Sequence, residues 1–134
     1  MRYLLDTCVL SDFARGEPHT LAHVKETPPS DLAVSTVTAM EVHFGLALDP
    51  MRARRLGSVM RAILEAVSVL PYELEDARAT ATLRAALQKR GRPIGAYDAL
   101  IAGAALARGL VLVTSNEKEF GRASGLKIEN WRKS

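Results

Sequence analysis

Four segments of this chain carry side chains whose types could do chemistry together. They are Leu4-Leu5-Asp6-Thr7, Thr36-Val37-Thr38-Ala39-Met40-Glu41, Gly95-Ala96-Tyr97-Asp98, and the stretch from Leu112 to Phe120 that holds Thr114, Ser115, Asn116 and Glu119. Carboxylates drawn from distant parts of a chain are what a hard divalent cation such as Mg²⁺ requires, because it takes oxygen ligands. A cation held in this way can activate water against a phosphodiester. Each acid also has a local reading. Asp6 could cap a helix that begins near Val9. Thr38-Ala39-Met40-Glu41 matches a capping box in which Glu41 reaches back to the helix start. Asp98 stands in a first helical turn, where the macrodipole favours a carboxylate, and Asn116 and Glu119 have cap-like spacing.

Asp98 tips the balance. It precedes Ala99-Leu100-Ile101-Ala102, a helix so apolar that it must be buried, so its carboxylate points into a partly enclosed site. Carboxylates forced together raise one another's pKa unless a cation neutralises them. A site holding Asp6, Glu41 and Asp98 would therefore attract Mg²⁺ or Mn²⁺.

The elements that must position these acids follow from pattern and punctuation. Residues 2–5, 32–35, 68–70 and 110–113 read as short apolar strands, with 127–129 as a final edge strand. Helices are expected over 9–15, stopped by Gly16, then over 20–26, 38–48, 51–66, 73–90 and 97–108, the last closed by Gly109. Short apolar strands alternating with helices predict an α/β fold with a central, mostly parallel sheet covered on both faces. In such sheets ligands bind beyond the C-terminal strand ends, which is where Asp6 and Asn116 fall.

The totals bound the rest. At 134 residues, with 48% hydrophobic and 25% charged side chains, the chain reads as one globular domain over 1–134. The apolar stretch from Ala99 to Ala107 is too short to span a bilayer, and the N-terminus reaches Asp6 too early for a signal peptide. The single cysteine, Cys8, excludes a disulfide framework and a cysteine zinc site, and reads as a small buried hydrophobe. These features predict a cytoplasmic protein without a membrane partner. The net charge of +3 is compatible with a polyanion, and basic residues gather at Met51–Arg55 and at Lys89–Arg92. His19 and His23 are four apart on a helix, but no acid or cysteine nearby completes a metal set, so both read as surface residues.

The ordered set Asp6-Thr7, Thr38-x-x-Glu41, Arg92-Pro93-Ile94-Gly95-x-x-Asp98 and Val113-Thr114-Ser115-Asn116-x-x-Glu119-Phe120 resembles a PIN domain. More narrowly it resembles the VapC toxins of VapBC toxin–antitoxin modules, over nearly the whole chain. The resemblance implies a compact three-layer α/β/α fold and a Mg²⁺-dependent endoribonuclease that leaves a 5′-phosphate and a 3′-hydroxyl. It also implies a homodimer, neutralised by a small VapB-like antitoxin in a hetero-oligomer. On this reading Asp6, Glu41 and Asp98 serve catalysis and the metal, with Glu119 as a further ligand. Thr7, Thr114, Ser115 and Asn116 are candidates for contacts to substrate or to the ligands. The Arg92–Gly95 and Asn116–Phe120 stretches look most like the subgroup that cuts initiator tRNA in its anticodon loop.

Two departures stand out. Many relatives have Asn where this chain has Cys8, so a polar contact of the site is expected to be missing. Many have Asp where this chain has Asn116, so the fourth acidic role is either absent or passed to Glu119. Two rivals remain at this point. One is a receiver-like phosphoacceptor signalling domain, which normally has adjacent acids after its first strand and a Lys after its last. The other is a catalytically silent PIN-like binding module.

Overall fold

The structure, a computed structural model, describes residues 1–133. In chain order it runs β1 (Tyr3–Leu5), α1 (Thr7–Arg15), α2 (Pro18–Glu26), a 3₁₀ turn (Pro29–Asp31), β2 (Leu32–Ser35), α3 (Thr36–Leu48), α4 (Pro50–Ala66) and β3 (Ser68–Leu70). It continues with α5 (Leu74–Lys89), α6 (Ala96–Arg108), β4 (Val111–Val113), α7 (Glu117–Phe120) and β5 (Ile128–Glu129). All strand pairs are parallel, in the order β3-β2-β1-β4-β5. The chain therefore builds outward from β1 to β3 and then crosses back to place β4 against the other side of β1. That reversal lies between β1 and β4, the position where an open parallel sheet leaves a crevice beyond its strand ends.

Alternation along the strands divides the core into two layers. Leu5, Val34 and Val113 face Val9, Leu10, Met60 and Ile63 of α1 and α4. Leu4, Ala33 and Leu112 face Leu83 and Leu87 of α5 and Ile101, Ala102 and Ala105 of α6. Helix α6 is buried over Ile101–Ala105, as its composition predicts. It lies close against α5, where a Cβ on Gly103 would fall 1.8 Å from Thr80 Oγ1. Gly16 and Gly109 end α1 and α6 with φ of 78° and 65°, a backbone state that costs an L side chain energy. Among the described residues no helix is long and apolar enough to cross a membrane.

Most helices begin a residue or two earlier than their apolar pattern. The shift matters at α3, where strand β2 passes into helix without a loop. Ser35 is the N-cap there, its hydroxyl accepting from the Thr38 amide at 3.1 Å. The capping box expected at Thr38–Glu41 does not exist. Glu41 lies in the second turn, free of any capping duty.

Candidate active site

Asp6 follows β1 directly, and its backbone amide donates to the Val113 carbonyl of β4 at 2.9 Å. It is the N-cap of α1, as its local reading predicts, with Oδ1 accepting from the Thr7 amide at 2.8 Å. Its other oxygen accepts from the Thr114 hydroxyl at 2.8 Å and from the Cys8 thiol at 3.4 Å. Capping and site membership are thus two uses of one buried carboxylate. The Thr7 hydroxyl donates to Glu41 Oε1 at 2.7 Å, which ties α3 to the end of β1. Glu119 Oε1 accepts from the Gly95 amide at 2.6 Å, and Oε2 accepts from Asn116 Nδ2 at 3.0 Å.

Asp98, in the first turn of α6, faces the other three acids. Burial, then the negative charges of Asp6, Glu119 and Glu41, push its carboxyl up to about 7, with a hydrogen bond to Glu119 acting in the same direction. Glu119 moves the opposite way, chiefly because the Gly95 amide donates to it. None of the ion pairs among the described residues includes Asp6, Glu41, Asp98 or Glu119. Four acids from four distant segments therefore share one strand-end crevice with little positive charge to balance them.

The hydroxyls have roles narrower than the sequence suggests. Thr7 donates to Glu41, Thr114 to Asp6, and Ser115 to the Cys8 sulfur at 3.3 Å. Thr7 and Thr114 thus donate to candidate acids, whereas Ser115 reaches the site only through Cys8. Cys8 also differs from expectation. Burial and the Asp6 charge raise its thiol pKa, which keeps the proton on sulfur, and the thiol donates to Asp6. Asn116 holds Glu119 and is itself exposed. His19 is exposed as expected, whereas His23 is half-buried and stacks on Trp131 with ring centroids 5.1 Å apart.

The donor set suits a hard cation, since every candidate ligand is a carboxylate oxygen. It is not a ready-made cage: among the described residues no three His, Cys, Asp or Glu side chains converge closely enough to hold an ion together. Glu41 and Glu119 are each hydrogen-bonded to the protein's own donors. Sequence reasoning missed the Gly95 amide and Arg122 beside Glu119. The spacing of Lys118 and Arg122, one helical turn apart around Glu119, was the available signal.

Residues 3–126 match the family profile described as PIN domain. The chain is 34% identical to a tRNA(fMet)-specific endonuclease VapC of Shigella flexneri over 131 residues, covering 98% of each chain. It is 29% identical to ribonuclease VapC2 of Haemophilus influenzae, again over 98% of each. Among solved structures it superposes on DNA-bound VapBC of Salmonella typhimurium with a TM-score of 0.89 and 34% identity, covering 98% of each chain. VapBC2 of Rickettsia felis, bound to a promoter DNA fragment, gives 0.88 at 26% identity, over 98% of this chain and 99% of that one. Lys118 lines a basic depression with Arg90, Arg92 and Arg122.

Proposed function

The chain belongs to the PIN-domain family, of the VapC type, and from that premise we propose that it is a divalent-metal-dependent endoribonuclease, the toxin of a toxin–antitoxin pair. The observation that carries this reading is Asp98, a half-buried carboxyl raised to about 7 by burial and by Asp6, Glu119 and Glu41. Such a group gains its charge when a cation enters the crevice. PIN-domain nucleases generally use divalent metal ions. Here the ion is Mg²⁺, with Mn²⁺ able to substitute, held by Asp6, Glu41 and Asp98, with Glu119 as a further ligand or anchor for water. When bound, it would supply a coordinated water of lowered pKa and offset the charge that develops on the phosphate.

This chain's own residues prepare that chemistry. Thr114, Cys8 and the Thr7 amide fix the orientation of Asp6, and the Thr7 hydroxyl fixes Glu41. The Gly95 amide and Asn116 hold Glu119 beside Asp98. Orientation by such partners strengthens a ligand and removes the entropy of arranging it during the reaction. Asp98, raised to about 7, is able to release or retain a proton near neutral pH.

The substrate proposed is RNA, with initiator tRNA cut in its anticodon loop as the first candidate, by analogy with relatives named tRNA(fMet)-specific endonucleases. The setting is the cytoplasm, where that RNA is found. For an inhibitory VapB-like antitoxin, the supporting feature is an apolar groove of about 550 Å³ between α1, α2 and α4, lined by Phe13, Val24, Leu32, Val59, Ile63 and Val67. A homodimer would cover Met40, Phe44 and Leu48, which stand exposed along α3. The test is incubation of the purified protein with initiator tRNA in Mg²⁺ and in EDTA. A single anticodon-loop cut with a 5′-phosphate, seen only with Mg²⁺, supports the whole reading. Cleavage of other RNA alone would replace the substrate, and no cleavage of any RNA would reject the activity.

A further inference from the structure

Beside the acid crevice lies a basin of opposite charge. Arg90, Arg92, Lys118, Gly121 and Arg122 line a concave depression of about 420 Å³, with no acidic or apolar side chain on its wall. Two of its guanidiniums are anchored: Arg90 donates to the Arg122 carbonyl at 2.9 Å, and Arg122 to the Pro93 carbonyl at 3.1 Å. Among the described residues none of the four cations has an ion-pair partner. Like charges gathered in this way repel, and a bound polyanion removes that cost.

The basin is joined to the acids by two short pieces of chain. The loop before α6 receives Arg122 at Pro93 and gives its Gly95 amide to Glu119 at 2.6 Å. Helix α7 carries Lys118 and Glu119 at consecutive positions. A strand of nucleic acid with one phosphate at the acids is thereby brought within reach of the basin by its next phosphates. Planar guanidiniums pair with phosphate oxygens in bidentate fashion. An acidic peptide would also seek an apolar wall for its side chains, and this wall has none.

We propose that the basin formed by Arg90, Arg92, Lys118 and Arg122 is a subsite for a backbone phosphate of the RNA, flanking the bond that is cut. The proposal rests on the ribonuclease reading above. It unites residues from the Lys89–Arg92 cluster with two cations near Glu119, and it leaves the Met51–Arg55 cluster outside the site. Contacts of this kind position the strand without reading its bases.

The test uses Arg92 and Lys118, whose side chains make no hydrogen bond among the described residues. Binding of a fluorescein-labelled single-stranded RNA is measured in EDTA across a salt series for wild type, R92Q/K118Q and the charge-matched control R15Q/K25Q. The basin predicts a salt slope shallower by about 0.7 for R92Q/K118Q, from one lost phosphate contact on a single strand, and wild-type behaviour for the control. In Mg²⁺, R92Q/K118Q should raise KM with kcat unchanged. An unchanged slope while the wild type binds and cuts RNA overturns the basin and spares the ribonuclease reading. A wild type that neither binds nor cuts RNA overturns both. Equal dependence of a polyglutamate peptide on Arg92 and Lys118 reassigns the basin to an acidic peptide.

Discussion

Asp6 and Asp98 belong to one site and live under opposite conditions. Asp6 sits at the junction of β1 and β4, where an amide, a hydroxyl and a thiol all donate to it. Asp98 sits at the head of α6, where burial and the charges of Asp6, Glu119 and Glu41 oppose its ionisation. The first acid is held by the fold and contributes to it as a helix cap. The second has a charge that its surroundings oppose. A metal site can be built from both kinds: ordered donors set the position of one ligand, and an unsatisfied partner gives the cation its largest gain.

The sharpest way to break this contrast is Asp98→Asn. RNA cleavage should fall by roughly 10²–10³-fold or more, as for loss of a group that stabilises developing charge. The metal-free protein should become more stable, and only at the higher pH. Because the folded-state pKa is raised from 3.8 to about 7, the carboxyl costs little at pH 4, destabilises the fold increasingly as pH rises from there to 7, and reaches its full cost above 7. Melts at pH 8 should show a gain of roughly 1–2 kcal/mol, discounted from the full linkage value because the group is partly solvated. Melts at pH 4 should show none.

Asp6→Ala should abolish cleavage to a similar degree and have the reverse effect on the fold. Loss of the α1 cap costs roughly 0.5–2 kcal/mol. Equal stability changes in Asp6→Ala and Asp98→Ala, measured by urea unfolding without metal, would erase the distinction between the two acids.

Thr114→Val sharpens the comparison at one remove. It takes a donor from buried Asp6 and leaves Asp98 untouched. Loss of an orienting partner lowers metal affinity or activity by roughly 10–100-fold. The Mg²⁺ dependence of cleavage should shift to higher concentration, with the raised Asp98 pKa preserved.

The smallest effect is expected from Glu119→Gln. A glutamine can still accept from the Gly95 amide, so stability should change little, yet one negative charge leaves the neighbourhood of Asp98. The Asp98 pKa should fall and the Mg²⁺ requirement rise a few-fold, read from cleavage rate against Mg²⁺ concentration. An unshifted curve would leave Glu119 as a tie for the α6 entry alone.

The strands and helices were legible because each has a local signal: short apolar runs ending at an acid or a break, and glycines past α1 and α6. The positions of Asp6 and Asn116 at one sheet edge followed from the parallel arrangement those runs imply. What the sequence hid depends on contacts between distant residues. The Thr38–Glu41 capping pattern was misleading because β2 runs straight into α3, which moves the cap to Ser35 and frees Glu41 for Thr7. The Gly95–Glu119 bond spans 24 residues, and the His23–Trp131 stack joins opposite ends of the chain. Lys118 meets Arg90, Arg92 and Arg122 through contacts that no local pattern announces.

The proposal that these acids together hold a divalent cation is tested most directly by titrating the Asp98 carboxyl carbon by NMR, with and without saturating Mg²⁺. Without the ion its midpoint should lie near 7. With Mg²⁺ bound it should fall to or below the ordinary aspartate value of about 3.9, because the cation favours the charged form. A midpoint near 7 that saturating Mg²⁺ leaves unmoved would contradict the assignment of Asp98 as a metal ligand.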